Sequence, residues 1–166
     1  IEGRMKTEYY VATVVSAYRR GLNALGEGEE AFLEKLPELE RELQKASHRQ
    51  SNTGFFLGKP EPCGGAGGLS QTMEYVGRVL TSAGTGEEAA VELKNRFYVG
   101  DSLEVLTPAG SFAYFPQRII VKDTRETVQT HGVAGTQLLL AFPFPVMEGD
   151  ILRGPARNHA AAPDGR

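Results

Sequence analysis

The hydrophobic period of this chain changes near Ser47, and nothing else in the sequence constrains the fold as strongly. Before that point apolar residues recur every three or four positions; after it they come in short runs bounded by Gly, Pro, Asp and Asn. A helical period cannot lie in a sheet without burying polar side chains, and short bounded apolar runs do not propagate a long helix. Helices followed by strands are therefore predicted, an α+β chain.

From Thr7 to about Leu25, Val11, Val14, Val15, Tyr18, Leu22 and Leu25 fall on one face, opposite Thr13, Ser16, Arg19 and Asn23. This spacing predicts an amphipathic helix that Gly26 and Gly28 end. Phe32, Leu33 and Leu36 begin a second apolar face. Pro37 is expected to break it, because proline lacks an N–H and its ring crowds the preceding turn, with a restart through Leu39 and Leu43 to about Ala46. The run Cys63-Gly64-Gly65-Ala66-Gly67-Gly68 reads as a flexible connection.

Strand-like runs follow at 75–80, 90–96, 102–106, 111–115, 119–122, 127–130, 137–142 and 151–152. Many short strands at fairly even spacing predict a sandwich or a small closed, mostly antiparallel β-barrel. Its predicted core is Val76, Val79, Val91, Leu93, Val99, Leu103, Val105, Phe112, Ile120, Leu139, Phe142 and Ile151. The resulting organisation is a helical neck at 1–50, a linker at 51–72, the barrel at 73–153 and a disordered tail at 154–166. Two corners repeat, Gly100-Asp101 and Gly149-Asp150, each followed by aliphatic residues. Glycine supplies the positive φ of a tight turn there and aspartate a side-chain bond to the backbone.

The charged share of 23% and hydrophobic share of 40% describe a soluble globular protein. No apolar run approaches the ~20 residues of a membrane span, and no secretory signal pattern is present. The single cysteine, Cys63, excludes an internal disulfide and fits a reducing cytoplasm. Net charge is -3, with 9 basic and 10 acidic side chains in residues 1–70 and 9 and 11 in residues 71–166. Tight non-specific nucleic-acid binding, which rests on neutralised phosphates, is not expected from that balance.

Cys63, His48 and His131 are the available thiol and imidazole groups, but Cys63 sits between Pro62 and two glycines with no positioned base. His131 precedes Gly132 as a turn residue, and His159 lies in the tail. The glycine run lacks the Lys and Ser or Thr of a phosphate-binding loop. Asp101 and Asp150 read as turn caps rather than paired acids. No catalytic residue, metal ligand set or cofactor site is assigned, and the chain alone is expected to show no peptidase activity. Arg49, Phe55, Phe56, Lys59, Arg96 and Phe97 are the best basic and aromatic group for substrate contact. The competing reading makes the phenylalanines core and the basic residues surface.

Ile1-Glu2-Gly3-Arg4 before Met5 matches, by itself, a protease-cleavage scar. Continued into Lys6 and the runs Tyr10-Val11-Ala12-Thr13-Val14-Val15 and Ala17-Tyr18-Arg19, it resembles a signature of the collagenase-like U32 peptidase family. Two further blocks carry the same resemblance. One is Ser47-His48-Arg49 with Thr53-Gly54-Phe55-Phe56 and Gly58-Lys59-Pro60; the other is Asn95-Arg96-Phe97-Tyr98-Val99-Gly100-Asp101 with Gly149-Asp150-Ile151-Leu152-Arg153. The Gly-rich stretch from Glu61 to Gln71 departs from the family pattern. The resemblance implies that the chain is a C-terminal part, opening on the last piece of a catalytic α/β barrel and ending in a β-barrel whose corners are similar to those of the elongation-factor second domain. Glu2 and Arg4 would edge the parent's active site. Members are peptidases or resemble enzymes of tRNA wobble-uridine hydroxylation, and in several, cysteines hold an iron–sulfur cluster, for which one thiol is too few.

The expected role is a non-catalytic module positioning peptide or protein substrate for its own catalytic domain; the alternative is tRNA docking. The apolar stripe of the first helix would be buried against that domain in the longer protein; in this chain it is expected to pack onto the second helix and the barrel flank, or to pair with the same helix of another copy in a homodimer.

Overall fold

The structure, a computed structural model, describes residues 1–48, 55–58 and 70–157, and divides into two compact units, Ile1–Thr72 and Met73–Arg166. The glycine run with Cys63, most of the predicted linker and the tail beyond 157 lie outside the described residues.

The first unit is a helical hairpin. Helix α1, Glu8–Glu27, starts at Thr7, whose hydroxyl accepts from the Tyr10 N–H at 3.2 Å. It stops at Gly28, whose N–H donates to the Ala24 and Leu25 carbonyls. Helix α2, Glu29–Lys45, follows at once. The Tyr9 hydroxyl donates to the Lys45 carbonyl at 2.8 Å, tying the start of α1 to the end of α2.

Two helical expectations need correction. The buried face of α1 is Tyr9, Thr13, Val14, Ala17, Gly21 and Ala24, while Val15, Tyr18, Leu22 and Leu25 are exposed. Small residues win the interface because they let the helices approach closely: a Cβ on Gly21 would stand only 3.3 Å from Leu39 Cδ1. Pro37 does not break α2. It lies on the exposed side, so the lost hydrogen bond falls where water can replace it.

The second unit is built on an eight-stranded sheet. Its strands are β1 Met73–Val79, β2 Glu88–Leu93, β4 Leu103–Thr107, β5 Gly110–Tyr114, β6 Ile119–Val121, β7 Thr127–Val128, β9 Gln137–Ala141 and β10 Ile151–Pro155. A separate two-stranded ribbon pairs β3, Phe97–Tyr98, with β8, Thr130–His131. The sheet order is β5-β4-β10-β1-β2-β9-β6-β7, and its pairs are antiparallel.

This order corrects the closed barrel. Its ends, β5 and β7, are not hydrogen-bonded to each other, so the sheet is open. Closure needs a continuous ladder with matched tilt and stagger, and a two-residue β7 beside a three-residue β6 offers too few pairs. Side chains bridge the curled sheet instead: Tyr114 on β5 packs against Phe142 just after β9, with ring centroids 4.5 Å apart.

One core holds most of the predicted residues, including Val76, Val79, Val91, Leu93, Leu103, Val105 and Phe142, with Val99 packed against it. Ile120 and Leu139 instead join Ala90 in a smaller cluster. Alternation along β9 explains the division, since Leu138 and Leu140 belong to the larger core and Leu139 points the other way. Phe112, expected in the core, is 42% exposed on edge strand β5.

The Gly-Asp corners repeat in three dimensions. Gly100 and Gly149 have φ of 82° and 97°. Asp101 Oδ2 accepts from the Tyr98 N–H, and Asp150 Oδ2 from the Met147 N–H, each at 2.8 Å.

Candidate functional site

The sequence-predicted contact residues divide between the units. Arg49 and Lys59 lie outside the described residues, as do Cys63 and His159. Phe55 and Phe56 are 82% and 90% exposed in a turn closed by the Gly58 N–H on the Phe55 carbonyl. Phe97 is a core residue at 1% exposure. Glu2 and Arg4 are exposed. Only Arg96 stands at the surface of the second unit.

The imidazoles are engaged in structural contacts. His48 Nδ1 lies 2.9 Å from the Ala46 carbonyl, and the His48 backbone pairs with Ser70. His131 Nε2 lies 3.1 Å from Thr136 Oγ1. Among the described residues no group of three or more His, Cys, Asp or Glu could hold a metal ion. With Cys63 the only thiol of the chain, its residues do not fit an iron–sulfur cluster.

Geometry brings a different set together around the β3–β8 ribbon. Successive side chains alternate sides of a strand, so buried Phe97 leaves its neighbours Arg96 and Tyr98 on the outer face. Tyr98 is 40% exposed. The Arg157 guanidinium lies over its ring, 4.7 Å from the centroid, and pairs with Asp101. Asp101 also accepts from the Tyr98 N–H, so these three residues hold one another in place.

Arg96 is seated differently. It packs so closely on Gly132 that a Cβ there would stand 2.4 Å from Nε and 2.7 Å from Nη2. Phe115, 51% exposed, is connected to this region through the next residue, because the Pro116 carbonyl accepts from the Gly100 N–H at 2.8 Å.

Sequence reading missed Tyr98, although its place two residues after Arg96, with an apolar residue between, was a legible strand signal. Arg157 falls within the predicted tail at 154–166. Only the fold returns it, since β10 runs through Pro155 and delivers the next residues to the Asp101 corner.

Comparison with known proteins agrees with the sequence blocks. The profile of peptidase family U32 matches residues 1–64, and that of the peptidase family U32 C-terminal domain matches residues 71–153, half of the chain. The chain belongs to peptidase family U32.

Among curated relatives, this U32 chain is 38% identical over 111 residues to tRNA hydroxylation protein P1 of Bacillus subtilis, a match covering 65% of the chain and 26% of the relative. It is 33% identical over 118 residues to tRNA hydroxylation protein P of Escherichia coli, covering 69% and 25%. The chain thus spans about a quarter of the length of these relatives. Two crystal structures of the C-terminal domain of a Geobacillus thermoleovorans U32 peptidase are also similar. One has 21% identity and a TM-score of 0.44, covering 48% of this chain and 98% of that one; the other has 19% and 0.45, covering 51% and 93%. No helix among the described residues is long and apolar enough to cross a membrane.

Proposed function

We propose that this chain belongs to a U32 protein acting in tRNA hydroxylation and that its second unit docks RNA for chemistry carried out elsewhere in the longer protein. The observation that carries this reading is the 38% identity over 111 residues to a protein named for tRNA hydroxylation. That match favours the RNA alternative over positioning of a peptide substrate. The residue chemistry is compatible with a docking role, since the outer face of the ribbon combines two arginines with an exposed tyrosine.

The charge balance sets the expected strength. With a net charge of -3 the chain can engage few phosphates at once, so affinity for tRNA should be modest at physiological salt and depend only shallowly on ionic strength. Titration of labelled tRNA across a salt series, with gelatin as competitor, tests the reading. Saturable tRNA binding that gelatin leaves unchanged is expected. Retention of gelatin with no tRNA binding at any salt would reverse the assignment in favour of peptide substrate.

A further inference from the structure

We infer that the outer face of the β3–β8 ribbon binds an unpaired RNA nucleotide, its base stacked on Tyr98 and its phosphate paired with Arg96. This rests on the RNA-docking reading and adds to it a place on the molecule and the kind of RNA recognised.

Three observations carry it. First, Tyr98 is restrained at both backbone and ring: its N–H donates to Asp101 at 2.8 Å, and the Arg157 guanidinium lies 4.7 Å from its ring centroid. An aromatic ring backed by a guanidinium and still 40% exposed offers a flat surface, part of whose ordering cost is met before a base arrives. Tyrosine and arginine are also the side chains on which bases stack when they are not confined within a duplex.

Second, the charge on this face belongs to Arg96. Asp101 pairs with Arg157, so that guanidinium orients the ring and contributes little net charge. Among the described residues Arg96 has no carboxylate partner, and its side chain rests on the bare backbone of Gly132, where a Cβ would stand 2.4 Å from Nε. A guanidinium held at the surface without an acid is suited to a phosphate, which it can grip through two N–H groups.

Third, the spacing fits a nucleotide. Arg96 immediately precedes β3 and Tyr98 ends it; two residues of extended chain span about 7 Å, a separation on the scale of the distance from a phosphate to the base of its own nucleotide. Duplex RNA buries base faces in its stack, so this arrangement selects single-stranded loops and ends over paired stems.

The test is fluorescence anisotropy with the whole chain and three probes: labelled tRNA, a short single-stranded RNA of mixed sequence, and the same strand annealed to its complement. The single strand should bind more tightly than the duplex. Tyr98→Ala should weaken single-strand binding by about tenfold while Tyr98→Phe retains it. Arg96→Ala should weaken it and lower the log-log salt slope by about one. Tyr98→Leu keeps the apolar bulk beneath Arg157 and removes the flat ring, so it decides the matter if the alanine variant does not fold. RNA binding unchanged in folded Tyr98→Leu and Arg96→Ala overturns the site and leaves the docking reading standing. Duplex bound as tightly as single strand overturns the stacking assignment. Absence of binding to every RNA overturns both.

Discussion

Arg153 has no solvent-exposed surface, yet it carries a full charge. Its Nε and Nη2 donate to Glu104 Oε2 at 2.9 and 2.7 Å, and Nη2 also donates to Ser111 Oγ at 2.7 Å. The Glu104 side chain is 25% exposed, but removing the carboxylate that neutralises a buried guanidinium costs more than the pair contributes, because the remaining charge stays desolvated. Glu104→Ala should therefore lower unfolding free energy by about 3 kcal/mol in urea titration, and the double variant Glu104→Leu with Arg153→Met should recover most of that loss. Tyr114 presents the opposite case. Its buried hydroxyl has no hydrogen-bond partner among the described residues, and burial drives its pKa upward. Tyr114→Phe should leave stability unchanged or raise it by about 1 kcal/mol, measured by the same titration. Asp150 gives a pH signature. Burial raises its pKa above the ordinary 3.8, against the lowering effect of the Met147 N–H bond. The folded state then holds the proton more tightly than the unfolded chain, so this group's contribution to stability falls as pH rises from 3.8 toward the raised value. In melts across that range, the stability of the protein relative to its Asp150→Asn variant should decline with rising pH.

Between elements, the size of side chains at the helix contact decided what hydrophobicity alone did not. Two adjacent valines of α1 now have opposite expectations. Val14 is buried at 8% exposure, and a carboxylate there would be desolvated against α2; Val15 is 48% exposed. Val14→Glu should destabilise the hairpin by about 2–4 kcal/mol and Val15→Glu by less than about 0.5 kcal/mol, read from the helical far-UV signal on heating. The large apolar residues left outside, Tyr18, Leu22 and Leu25, line one apolar groove with Phe32 and Leu36 of α2. Contiguous exposed apolar surface favours association. Sedimentation over a concentration series should show self-association of the chain, and Leu22→Glu should shift it toward monomer. A strictly monomeric parent chain would mean that copies do not pair through this groove.

At the scale of the molecule, the buried residues of the large β core all come from the second unit, which therefore has the makings of independent stability. A chain of residues 73–157 should melt cooperatively and give a dispersed amide spectrum, with the ~5–15 kcal/mol of an ordinary domain; a broad, non-cooperative melt would show that it needs the hairpin. The sequence by itself determined the change from helix to strand, the end of α1 at Gly28, most of the β core and both Gly-Asp corners, since period, φ preference and side-chain capping act within a few residues. It also carried the family blocks. Only the tertiary structure decided that the sheet stays open, because closure depends on how many backbone pairs the end strands can offer one another. Close approach of two helices likewise chose the small-residue face of α1 over its larger apolar one. The ribbon surface was the least legible. Arg157 reaches Tyr98 across 59 positions of sequence, and Gly132 seats Arg96 across 36, contacts that no local pattern encodes and that exist only once β10 and the ribbon have folded.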